Sequence, residues 1–71
     1  MMNKLLLSKE IYKIHQIQEA SHQFSGLCKI EVSEYKGYYL CAFSNCVYDV
    51  AETIKEFENY LIDLMNTGNE G

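Results

Sequence analysis

Apolar residues recur at Val50, Ile54, Phe57, Leu61 and Leu64, in steps of four, three, four and three. That spacing draws one stripe down an α-helix over residues 49–65. Asp49 is a good N-cap, and Glu52 follows three positions later, as in a capping box. Asn66, Thr67 and Gly68 supply the stop. A shorter stripe, Ile14, Ile17, Ser21 and Phe24 with Ala20 beside it, predicts a first helix over 13–24. Its opposite face carries Gln16, Gln18, Glu19 and Gln23. Gly26 follows, suited to a left-handed C-cap.

The remaining patterns read as strands. Leu5-Leu6-Leu7 lies within a short continuous apolar run over 4–8, which suits a strand but could also begin a helix. In residues 28–33, Cys28, Ile30 and Val32 point one way and Lys29, Glu31 and Ser33 the other. Glu34 to Gly37 makes a turn, and residues 38–44 form the next strand, apolar on both faces. Hairpin geometry orients it. A two-residue loop at Lys36-Gly37 pairs Val32 with Cys41 and Ile30 with Phe43. Tyr39, Cys41 and Phe43 then face the core, and Tyr38, Leu40 and Ala42 lie on the outer face with Lys29 and Glu31. A three-residue loop would reverse this. Residues 45–48 connect to the long helix.

The order β-α-β-β-α predicts one two-layer α+β domain over residues 1–71, with loose ends at 1–3 and 67–71. A three-stranded sheet carries both helices on one face. The predicted core is Ile17, Phe24, Ile30, Val32, Phe43, Ile54, Phe57 and Leu61. The other sheet face is left uncovered and apolar enough to be a contact surface.

Composition narrows the partners. Seventy-one residues make a domain that buries only about 60% of its unfolded surface, so association would help it. Six lysines and no arginine stand against ten carboxylates, a net charge of -4. Neither a nucleic-acid backbone nor an anionic membrane suits that balance. No run is apolar enough for a signal peptide or a span, so the cytoplasm is the expected compartment. Three cysteines, Cys28, Cys41 and Cys46, are an odd number, which argues against a disulfide scaffold. Cys28 and Cys41 read as small core residues, and Cys46, in a connection, as the one thiol placed to react. His15 and His22 are two turns apart, roughly 10.5 Å along a helix axis, too far to share a metal ion. They read as solvated. A chain this short has little room for a cavity of about 300 Å³. Glu52, Glu56, Glu58 and Asp63 give the long helix an acidic outer side, which reads as solvated or as a dock for a basic region of a partner.

Several stretches carry a resemblance: Ser8-Lys-Glu-Ile-Tyr12, Ala20-Ser-His-Gln-Phe24, Cys28-Lys-Ile-Glu-Val32 and Glu56-Phe-Glu-Asn-Tyr-Leu61. Together with the order of elements they resemble the HxsD-like family, the small protein of His-Xaa-Ser peptide-maturation systems. Tyr12 matches the tyrosine before that family's first helix. Ala20 and Phe24 match an Ala…Phe pair that closes it, and Phe57, Asn59 and Leu61 match a Phe-x-Asn-x-Leu pattern in the last. The likeness spans roughly residues 7–65. The family's Arg or Lys near the end of the last helix is missing here.

The resemblance implies a non-catalytic accessory protein that binds a radical SAM enzyme, its ribosomally made precursor peptide, or both. Some such pairs are peptide spliceases. It would carry no cofactor itself, the iron–sulfur cluster and SAM belonging to the enzyme. Tyr38, Leu40, Ala42, Lys29 and Glu31 are the expected binding residues. Two other classes remain open: a self-dimerising structural subunit, by fold analogy with the small subunit of the KEOPS complex, and a small enzyme using Cys46.

Overall fold

The computed structural model describes residues 3–67. It has β1 (Lys4–Ser8), α1 (Ile14–Gln23), β2 (Lys29–Tyr35), β3 (Tyr38–Ser44) and α2 (Val50–Thr67). The sheet order is β1-β3-β2, so β3 is central and antiparallel to both neighbours. This is the expected α+β architecture.

The hairpin turns on Lys36 and Gly37, both at positive φ (44° and 83°). Two such residues make the turn whose twist matches that of the flanking strands, and glycine reaches this conformation without steric cost. The two-residue loop fixes the register. Val32 pairs with Cys41, and Ile30 with Phe43. On the other side Leu5 pairs with Cys41 and Leu7 with Tyr39. All seven of these side chains therefore share one face.

Both helices cover that face. Leu7, Ile17, Ala20, Cys28, Cys41, Phe43, Phe57 and Leu61 form the buried core. Phe24, Ile30, Val32 and Ile54, all predicted core residues, are half-buried and pack against it. The aromatic rings interlock edge to face. Phe57 meets Phe43 of the sheet at 5.2 Å and Phe24 at the end of α1 at 5.4 Å, centroid to centroid. Tyr60 meets Phe24 at 5.9 Å.

The helix ends differ in part from expectation. Asp49 does cap α2: its Oδ2 accepts from the Glu52 N–H at 3.1 Å. The Asp49 carbonyl accepts from Thr53 N–H and Thr53 Oγ1. Glu52 returns no bond to Asp49, so only half of a capping box forms. α1 ends without a left-handed glycine, because Gly26 does not take positive φ. The chain leaves by successive turns instead, with Leu27 N–H and Cys28 N–H both donating to the Phe24 carbonyl. Asn3, expected to be loose, is tied down: its carbonyl accepts from Phe43 N–H, and its Nδ2 donates to the Phe43 carbonyl. Thr67 closes α2, while Gly68 and the rest of the expected loose C-terminus lie outside the described residues, as do Met1 and Met2.

Phe57 is fully buried at the meeting of three aromatic rings. Phe57→Ala should lower unfolding free energy by about 3–5 kcal/mol. In so small a domain that loss is expected to abolish the cooperative melting transition. A cooperative transition at an unchanged midpoint would show that the stripe is not packed as described.

Candidate functional site

The site begins with the strand alternation. Residues opposite in register share a face, so the outer face carries Leu40 between Leu6 of β1 and Ser33 of β2. Ala42 lies between Lys4 and Glu31, and Tyr38 between Ser8 and Tyr35. Tyr38, Leu40, Ala42, Lys29 and Glu31 thus sit together on one surface. None of them belongs to the core or packs against it. Lys29 and Glu31 form an exposed ion pair at 3.7 Å. With both side chains in water, that pair adds little to stability.

Two further residues complete the apolar patch. Leu6 is 50% exposed and Tyr35 is 53% exposed, large values for side chains of their size inside a sheet. Leu6 escaped the sequence reading because Leu5-Leu6-Leu7 has no alternation. It becomes legible once β1 is placed against β3. Tyr35, expected in the turn, lies in β2.

The two sheet edges are unlike. β2 carries Lys29, Glu31 and Glu34, and Glu34 is bridged by Lys9 at 2.6 Å. Charges of this kind discourage the approach of another strand. Lys9 also lies 5.3 Å from the centroid of the Tyr39 ring, which holds it near the hairpin end. β1 has only Lys4 as a charged residue, and Leu5, Leu6 and Leu7 follow it.

The cysteines correct the sequence reading. Cys28 and Cys46 form a disulfide, so Cys46 is not a free thiol. The register explains the pairing. Lys29 pairs with Ser44, which would set Cys28 opposite Asn45. Asn45 takes a positive φ of 52° and turns the chain, bringing Cys46 to Cys28 instead. A hydrogen bond from Val47 N–H to the Leu27 carbonyl at 2.8 Å joins the same two segments. Cys41 is free and fully buried, and burial pushes its thiol pKa from 9.0 up to about 11. Its thiolate is thus scarce at neutral pH.

His15 and His22 are exposed on α1. Among the described residues, no group of three or more His, Cys, Asp or Glu side chains could hold a metal ion. No helix among them is long and apolar enough to cross a membrane. Room for a ligand is greater than expected: surface hollows of about 370 and 390 Å³ open beside Ser21 and Asn45 and beside Ala51 and Asn59. Compared with protein-family models, with curated proteins and with solved structures, the chain matches none of them.

Thiol counting tests the cysteine assignment. The unreduced protein should show no reactive thiol when native, one in denaturant and three after reduction. Three in denaturant without reduction would refute the disulfide. Replacing Cys28 and Cys46 together by serine should cost about 3 kcal/mol, the entropy of closing a loop of this length. Chemical denaturation measures it.

Proposed function

We propose that the protein is a non-catalytic binding subunit that presents the outer face of its sheet to a partner. By its resemblance to the HxsD-like family, that partner is a radical SAM enzyme, its ribosomally made precursor peptide, or both. The iron–sulfur cluster and SAM would reside in the enzyme. The observation that carries the reading is the outer-face patch of exposed Leu6, Tyr35 and Tyr38 around half-buried Leu40 and Ala42, beside a weakly guarded strand edge. An extended peptide adding alongside β1 would satisfy that edge's backbone groups, and its alternate side chains would reach Leu6 and Leu40. Tyr38 and Tyr35 supply aromatic area at low entropic cost, and the Lys29–Glu31 pair forms a polar rim.

The same surface suits a second reading, a symmetric dimer. An antiparallel pairing of β1 with its own copy centred on Leu6 would oppose Lys4 to Ser8 and bring no like charges together. In that case the chain is a self-associating structural subunit.

Leu40→Lys separates the two readings. It places a charge at the centre of the outer face and leaves the buried core untouched. Co-expression with a radical SAM enzyme and short precursor encoded beside this chain, followed by size-exclusion chromatography, gives the readout. The binding-subunit reading expects loss of co-elution with the oligomeric state of the lone protein unchanged. Conversion of a dimer to a monomer would establish the structural subunit instead. Undiminished co-elution would remove this face from partner binding.

A further inference from the structure

A second apolar surface lies on the helix side of the molecule. The loop before α2 leaves Val47 64% and Tyr48 66% exposed, and Leu27 of the neighbouring turn is also exposed. These are not scattered residues. The Val47–Leu27 hydrogen bond and the Cys28–Cys46 disulfide clamp the two segments together. The clamp makes one wall of a hollow of about 290 Å³, lined by Phe24, Leu27, Tyr48, Glu52, Thr53 and Glu56. An apolar hollow rimmed by polar groups is the kind of surface that suits a ligand side chain.

The charge at its rim selects the occupant. Glu52 and Glu56 stand four residues apart on α2, on one side of the helix, where like charges repel. Among the described residues neither carboxylate is engaged. The backbone N–H of Glu52 is taken by Asp49, but its side chain makes no return bond. Among the described residues no lysine reaches either glutamate within ion-pair distance. No cationic side chain lines the hollow. Thr53 turns its hydroxyl inward to the Asp49 carbonyl and offers the hollow no competing donor.

We propose that this hollow receives an arginine side chain from a partner protein or peptide. Its aliphatic stem would pack on Leu27 and Phe24, and its guanidinium would meet the Glu52 and Glu56 carboxylates beside the Tyr48 ring. Arginine fits better than lysine. Its planar fork can bond both carboxylates, it stacks on aromatic rings, and it is more weakly hydrated than an ammonium group. The chain contains no arginine, so a second copy cannot supply the group. The occupant is therefore a different molecule. The hollow lies between helix ends and the α2 entry loop, on the side of the molecule away from the outer sheet face. It stands independently of the reading given to that face.

The test uses the full chain and a blocked dipeptide, N-acetyl-leucyl-arginine amide, followed by backbone amide shifts in NMR. Saturable shifts should centre on Leu27, Tyr48, Glu52 and Glu56, with a dissociation constant on the order of millimolar for so small a ligand. Replacing the arginine by citrulline, its neutral near-isostere, should weaken binding about tenfold, because the charge-assisted bonds are lost. Glu52→Gln with Glu56→Gln should weaken it to a similar extent, and Tyr48→Ala by about fivefold. Raising the salt until the Debye length falls from about 10 to about 3 Å should weaken it further. Equal binding of the citrulline peptide would overturn the proposal. So would saturable shifts confined to the outer sheet face, or none at the hollow up to the solubility limit of the peptide. The citrulline comparison is made on the unaltered protein, so the result does not depend on whether any variant folds.

Discussion

Phe57 couples the two layers. Its ring is fully buried and meets Phe43 from the sheet and Phe24 from the end of α1, both edge to face. The β2–β3 hairpin alone is marginal in water, and α1, at ten residues, is too short to persist by itself. The elements therefore hold together only where their apolar sides meet, and Phe57 stands at that meeting. The core on either side is built from smaller units: Ala20 and Ile17 from α1, Leu61 from α2, Leu7 and Cys41 from the sheet. Ala20 brings the α1 backbone close, and the large rings fill the space opposite.

Much of this arrangement was legible before any coordinates. The α2 stripe marks its own buried face, because a period near 3.6 has one solution. A two-residue loop at Lys36-Gly37 orients a strand that is apolar on both sides, a three-residue loop would reverse it, and the positive φ at both residues decides for the first. Less legible were features that depend on neighbours in space. Leu6 could be assigned to the outer face only after β1 was set against β3. The disulfide became predictable only from the register, which carries Cys28 to within one residue of Cys46, and from the turn at Asn45. Parity of the cysteine count pointed the other way, since one of three can remain free and buried, as Cys41 does. Gly26 looked like a cap but was not needed as one, because the turns after Phe24 satisfy the helix end with ordinary backbone angles.

The molecule shows two chemically different surfaces. The outer sheet face carries an apolar strip bordered by Lys4, Lys29 and Glu31, with backbone groups available at the β1 edge. The helix side offers a small hollow, an aromatic wall and two carboxylates. An apolar strip and strand edge suit an extended backbone, with side-chain identity secondary. A rimmed hollow suits one particular side chain. The disulfide and the Val47–Leu27 hydrogen bond belong to the second surface, holding its wall in place. The two surfaces share no residue, so each could be altered in evolution without loss of the other.

The sheet order also dictates how the sheet can assemble. β2 and β3 are neighbours in sequence and joined by a two-residue turn, and such a hairpin closes in about 1–10 μs. β1 pairs with the other side of β3, and α1 and β2 separate the two strands in the chain. Contacts of that sequence separation carry a larger loop-closure entropy and are gained late. Until β1 docks, both edges of the hairpin are open and the core lacks Leu7. Displacing β1 would therefore turn β3, the central strand of the folded sheet, into an exposed edge.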